Sequence, residues 1–343
     1  MPRVSVVIPV YNSAQFLSEC VESLLGQNHS DCEFIFVNDG SKDDSREIIL
    51  AYREKDNRIS LINQENHGVS VARNNGIAAA KGDFLAFVDA DDTIAPEMLG
   101  TLMQLLIKTG SDIVCSGFIY EQDGHTLRLD MPFEKDISFA KDRIAAEVFP
   151  FMLRNDSLNS VANKMYRRSL VSDNRIQFPQ GQELGEDAIF NFKAMKAADR
   201  IVFTGYAGYF YRETAGSATR NLLKKDYFRT ALDVYAFDYV NLLPEGFDRS
   251  QMQTLKELRL IEQMLANIGV YAKPNREISA RKRFSYISNM ITHPLIQKLV
   301  RKHWAGLTAN RPRFAKFVLY CVKHRQTGLL WLAQTYSNFR NKK

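Results

Sequence analysis

Residues 84–92 read FLAFVDADD, an apolar run that passes directly into three carboxylates. A short, near-continuous run of aromatic and β-branched residues suits a strand buried on both faces. Similar runs at Val4–Val10, Phe34–Val37, Ile59–Ile62 and Ile113–Ile119 predict further strands. Between them Phe16, Leu17, Cys20, Val21, Leu24 and Leu25 recur at helical spacing, with Asn12 and Gln15 placed as a capping pair. Pro96 opens a second helical pattern through Met98, Leu99, Leu102, Leu105 and Leu106. The alternation predicts an α/β fold, and ligands in such sheets gather at the carboxyl ends of strands. Three polar clusters fall there: Pro9, Tyr11 and Asn12; Asn38 to Ser41; and Asp89 to Asp92.

Three carboxylates in a row repel one another unless a cation, hydrogen bonds or a helix N-terminus compensates. A hard divalent ion, Mg²⁺ or Mn²⁺, answers for Asp89 and Asp91, because such ions are held by one or two carboxylates together with phosphate oxygens and water. The ligand is then a diphosphate. The plainer alternative is that Asp91 or Asp92 caps the helix near Pro96. Asp39 could accept a ring N–H of a base, or serve as a turn residue beside Ser41 and Asp44. Arg73 could pair with base or phosphate, or lie on a helix surface. Glu186 and Asp187 stand at a predicted helix start behind Gly185. A carboxylate there could take a proton from an attacking hydroxyl, or simply complement the helix dipole.

Other chemistries lack their parts. The six histidines are dispersed, with no HExxH or GxSxG, and neither a P-loop nor a GxGxxG follows the first strand. Cys20, Cys32, Cys115 and Cys321 form no CxxC pair, so buried free thiols in a reducing, cytoplasmic compartment are expected. At 343 residues, 45% hydrophobic and 24% charged, the chain is ordinary for one large domain or two modest ones. The first apolar run is too short for a signal segment, and no apolar stretch is long enough to span a bilayer.

Beyond Tyr120 the alternation decays into a mixed region with Asn163–Tyr166, a turn-rich 178–185 and a strand-like Tyr209–Arg212. From Lys224 the pattern is helical, broken at Pro244, Pro274, Pro294 and Pro312. Residues 278–343 hold fourteen of the 45 basic residues and none of the 39 acidic ones, so an acidic body carries a basic tail. Phe314, Phe317, Val318 and Cys321 are helically spaced among basic residues, and Leu329 to Leu332 follow. Such a tail suits an anionic membrane surface and a lipid-linked acceptor. The alternative is that it packs on the body or on another subunit. Nucleic acid is not expected, since no helix-turn-helix, zinc-finger or RNP motif accompanies the charge.

The segments VSVVIPVYN (4–12), FVNDGSKDDS (36–45), NHGVSVARNNGIAAAKGDFLAFVDADD (66–92) and GEDAIF (185–190) together resemble the family 2 glycosyltransferases, inverting enzymes of GT-A fold that build bacterial surface polysaccharides. The resemblance implies a Rossmann-like, mixed but mainly parallel sheet in residues 1–222, with a nucleotide-sugar half at 1–120 and an acceptor half at 121–222. The resemblance stops near residue 222, and the helical pattern beyond it predicts a helical extension over 223–343. The resemblance further implies that Pro9, Tyr11, Asn12, Asp39 and Arg73 hold the nucleoside of a donor, most often UDP-linked. Asp89-Ala90-Asp91 matches the DXD motif that meets ribose and a Mn²⁺ or Mg²⁺ ion, and Asp187 matches the catalytic base. Glu186, Arg212 and Ser217 are weaker matches. The implied setting is the inner face of a bacterial membrane, with a glycan hydroxyl as acceptor. A non-catalytic donor-binding scaffold and a nucleotidyltransferase are the competing functions; the oligomeric state stays open.

Overall fold

The computed structural model describes residues 3–122, 125–181, 185–212, 226–274 and 278–340. The chain divides into two compact units, residues 1–215 with 241–245, and residues 216–240 with 246–343.

In the first unit an eight-stranded sheet contains β1 (Val4–Val10), β2 (Cys32–Asp39), β3 (Ile59–Gln64), β4 (Phe84–Phe87), β6 (Ile113–Cys115), β9 (Ser138–Ala140), β10 (Lys164–Arg167) and β11 (Arg200–Phe203). A four-stranded sheet contains β5 (Thr93–Ile94), β7 (Phe118–Gln122), β8 (His125–Leu129) and β12 (Tyr209–Tyr211). The large sheet runs β3-β2-β1-β4-β10-β6-β11-β9. Its first four strands are parallel, β10 is antiparallel to both neighbours, and β6 and β11 are parallel again. The α/β class and the mixed, mainly parallel sheet are those expected. Because β2, β1 and β4 lie side by side and parallel, their carboxyl ends share one edge.

The strand residues alternate between two helical layers, as period-two geometry requires. Val4, Val6, Ile8 and Val10 join one core with Leu17, Cys20, Val21 and Leu24 of α1 (Ala14–Leu25). Helix α2 (Ser45–Arg53) adds Ile49 to that core. Val7 faces α3 (Val69–Ala79), whose Gly76 lies so close that a Cβ there would sit 2.3 Å from Val7 Cγ1. That approach sets α3, and Arg73 with it, tight beneath the strand ends.

Three local expectations need correcting. The predicted strand Ile113–Ile119 is two strands in different sheets, because Ser116 N–H donates to Asn163 O and Gly117 N–H to Tyr206 O. The N-cap of α1 is Ser13, without a side-chain cap bond. Asn12 instead has φ +49°, donates its N–H to Ser41 Oγ and accepts Lys42 N–H on Oδ1. It joins the ends of β1 and β2. Finally, α4 (Met98–Thr109) is capped at Glu97, so neither Asp91 nor Asp92 caps it.

The second unit is helical among its described residues, with α6 (Tyr227–Ala236), α7 (Arg249–Ala272), α8 (Ala280–Thr292), α9 (Pro294–Lys302), α10 (Trp304–Thr308), α11 (Arg313–Lys323) and α12 (Thr327–Arg340), where α5 (Glu186–Ala197) belongs to the first unit. Leu260, Ile261, Met264 and Ile268 of α7 pack with Ile287, Leu299 and Leu319 in a core of their own. Arg283 is buried and donates to the carbonyls of Tyr271, Lys273 and Ile278. It satisfies the carboxyl end of α7, where a cation also complements the helix dipole. Val318 and Cys321 are buried in this core, so they do not share a free apolar surface with the exposed Phe314. No described helix is long and apolar enough to cross a membrane.

Candidate active site

The edge formed by β1, β2 and β4 gathers most of the residues singled out in the sequence. Pro9 is half-buried, Tyr11 is exposed, and Asn12 ties the β1 end to Ser41 and Lys42 as described. Asp39 is buried at the end of β2. Its Oδ1 accepts Gln64 Nε2 at 2.7 Å and His67 N–H at 2.9 Å, and its Oδ2 accepts Gly68 N–H at 2.9 Å. A carboxylate offers about four lone-pair sites. Three are filled by described residues, so one lone pair of Oδ2 has no donor among them. The two backbone donors, His67 and Gly68, immediately precede α3, so Asp39 also holds the entry to that helix.

Arg73 is the hub of the site. Its side chain is buried, with the guanidinium 5.2 Å from the centre of the Phe178 ring. Nη1 lies 2.6 Å from Asp187 Oδ1 and 3.6 Å from Glu186 Oε1, while Nη2 lies 2.9 Å from Asp89 Oδ1. Phe178 is itself held by stacking on Phe190 and by paired bonds to Asn74, one residue along α3. The surface-arginine alternative is thereby excluded. Burial opposes a charge on Arg73, yet Asp187, Asp89 and Glu186 together hold its pKa above the ordinary value.

Asp187 occupies the first turn of α5 behind Gly185, which has φ +84°. Its Oδ2 accepts Val161 N–H at 3.2 Å. Burial pushes the Asp187 carboxyl upward, against the pull of Arg73, and burial likewise raises Glu186. Asn191, one turn along α5, accepts Tyr166 OH and donates to the carbonyl of Asp187, fixing the helix on β10.

Asp92 is buried and accepts Tyr209 OH at 2.6 Å and Arg212 N–H at 2.8 Å. Tyr209 OH also accepts Asp89 N–H at 3.2 Å. The turn 89–92 is thus tied to β12 and to the residue after it. Burial pushes Asp92 up to about 8, with Asp89 adding to the rise. The Arg212 side chain turns the other way, pairing with Glu19 and covering the Phe16 ring at 5.1 Å. Ala90 is buried between the two acids of the motif, Asp91 is partly exposed, and Ser217 lies outside the described residues.

The glycosyl transferase family 2 signature matches residues 5–174. The uncharacterized glycosyltransferase EpsJ of Bacillus subtilis is 35% identical over 335 residues, 97% of this chain and 95% of EpsJ. The chain belongs to glycosyl transferase family 2. Glycosyltransferase GlyG of Streptococcus pneumoniae is 30% identical over 73% of this chain and 84% of its own length. Among solved structures, S. aureus TarS residues 1–349, crystallised in complex with UDP-GlcNAc, aligns over 99% of this chain and 92% of its own with a TM-score of 0.64 at 20% identity. That likeness establishes a GT-A-like fold. The match to EpsJ also runs through the helical second unit, beyond the point near residue 222 where the motif resemblance ends.

For this family 2 member the donor set at 89–91 is hard oxygen, suited to Mg²⁺ or Mn²⁺. Among the described residues no group of three His, Cys, Asp or Glu forms a closed metal cage. Two carboxylates at a strand end, completed by phosphate oxygens and water, are what such an ion needs from the protein, so Asp89 and Asp91 fit. Sequence reasoning missed Tyr209 and Phe178. The first was visible as the start of the strand-like Tyr209–Arg212 and the second as the edge of the turn-rich 178–185, but neither pattern names a partner.

Proposed function

We propose that this family 2 protein is a metal-dependent, inverting glycosyltransferase. It moves a hexosyl or N-acetylhexosaminyl group from a nucleotide diphosphate sugar, UDP-linked, to a hydroxyl of a lipid-borne glycan in bacterial exopolysaccharide, capsule or lipopolysaccharide assembly. The observation that carries the reading is the bridge through Arg73, which brings Asp89 of the DXD motif and Asp187 of the ED motif onto one guanidinium. UDP is supported by the UDP-GlcNAc complex of TarS. The setting at the inner membrane face is supported by the basic charge of residues 278–343.

Tyr11, Pro9 and Asn12 line the base and ribose side, and Asp39 accepts the ring N–H of the base through its remaining lone pair on Oδ2. Asp187 takes the proton from the acceptor hydroxyl as that oxygen bonds to the anomeric carbon, and the bond from that carbon to the diphosphate breaks on the opposite face. Configuration inverts. Arg73 and Val161 N–H keep the Asp187 carboxylate oriented for this step. Asp91 and Asp89 would hold Mg²⁺ or Mn²⁺, which when bound would supply positive charge beside the leaving diphosphate.

The test is thermal stability of the full chain with UDP, GDP, TDP or CMP, each with and without Mn²⁺, because a ligand that binds only the native state raises apparent stability. A Mn²⁺-dependent rise with UDP, lost in Asp91→Asn, is expected. A rise with GDP or TDP alone would reassign the donor. No rise with any nucleotide would leave a scaffold without donor chemistry.

A further inference from the structure

The last two helices expose apolar residues to different extents once the core is drawn. On α11 the residues Val318, Leu319, Cys321 and Val322 are buried in the unit's own core, and Phe314 and Tyr320 are exposed. On α12 only Thr327 and Leu330 are buried, while Leu329 is 45%, Leu332 67%, Tyr336 68% and Phe339 65% exposed. At 3.6 residues per turn these four side chains span an arc of about 80° and a length of about 15 Å, on the side away from Leu330. They form one continuous stripe. Exposed singly such residues need no explanation; four in line along one helix face do.

The charge of the segment that carries the stripe selects its occupant. Arg313, Lys316, Arg325 and Arg340 are exposed, Lys342 and Lys343 follow in sequence, and residues 278–343 contain no acidic residue. Two copies meeting through this face would bring like charges together, whereas an anionic surface would be attracted. A helix with aromatic and leucine side chains on one face and basic residues beside them lies in the plane of a bilayer interface, with Tyr at the headgroup level. We infer that α12 is the membrane-seating element: Leu332, Tyr336 and Phe339 enter the interface of an anionic phospholipid leaflet, and the neighbouring arginines and lysines meet the headgroups. This sharpens the membrane side of the proposed function and rests on it only for the location of the acceptor.

The test is flotation of the full chain with phosphatidylcholine vesicles, with and without phosphatidylglycerol. The chain is expected to float with the anionic vesicles alone, and the L332N/Y336S/F339N variant to bind them about a hundredfold more weakly. Phe339→Asn, near the end of the helix and outside the core, should lose part of that binding and guards against a folding defect in the triple variant. Circular dichroism should match for all three. Equal flotation of wild type and triple variant would overturn the inference. So would a dimer in buffer that the triple variant converts to a monomer, since a second copy would then cover the stripe. The Mn²⁺-dependent UDP shift, measured in parallel, should be the same in every variant; its absence from the wild type would sink the donor reading and leave the vesicle result standing.

Discussion

Asp187 Oδ1 stands 2.6 Å from Arg73 Nη1, although the two residues are 114 positions apart in the chain. The same guanidinium reaches Asp89 at 2.9 Å, so the two acids assigned to proton transfer and to donor binding are held by one buried cation. Arg73 thus ties a turn after β4 to the first turn of α5.

Asp187→Asn keeps the shape of the side chain and removes the base; its single oxygen can accept from Val161 N–H or from Arg73, not from both. Transfer should fall by a factor of about 10³ or more, within the range for loss of general-base catalysis, with nucleotide binding retained. Single-turnover transfer and nucleotide titration on the same preparation check this. Unchanged turnover would remove Asp187 from the mechanism.

Arg73→Gln leaves Asp89, Asp187 and Glu186 facing one another without their cation. Breaking a buried pair costs about 3–5 kcal/mol, and the partial exposure of the acids places the expected loss at the lower end of that range. Urea midpoints should drop with an unchanged m-value. The loss should shrink at low pH, because protonating the acids removes their repulsion.

Asp92 gives a second pH signature. Its native pKa is pushed up to about 8 by burial, so between the ordinary carboxylate value of about 4 and 8 the native state binds a proton that the unfolded chain does not. Native stability from this group is therefore fully present below about pH 4 and is lost progressively as pH rises from about 4 to about 8. Asp92→Asn, a neutral isostere, should match the wild type in Tm near about pH 4 or below and exceed it increasingly up to about pH 8 and beyond. Parallel Tm curves across that window would exclude a buried proton on Asp92.

Gly76→Ala should destabilise, although alanine is the better helix former by about 1 kcal/mol. Its Cβ would meet Val7 Cγ1 at 2.3 Å, and overpacking of this kind costs about 1–3 kcal/mol. Because α3 carries Arg73, transfer should fall together with stability. A Val7→Ala second substitution should recover part of both, which a purely local helix effect would not allow.

Much of this could be read from the chain itself. The run FLAFVDADD fixes a buried strand with carboxylates at its end, and GEDAIF fixes a helix start with two acids, because periodicity and helix-end chemistry are local properties. The same local rules misread Asn12 as part of a cap and joined Ile113 to Ile119 in one strand, since the bonds that decide those places come from Ser41, Lys42, Asn163 and Tyr206. Only the tertiary structure decided that Arg73 is buried under Phe178 between Asp89 and Asp187, that Gly76 is small because Val7 presses on it, and that Leu332, Tyr336 and Phe339 face outward while Leu330 does not. A residue's type and spacing say what it can bond to; which partner it meets depends on how distant strands and helices pack, and that packing is not encoded at any single position.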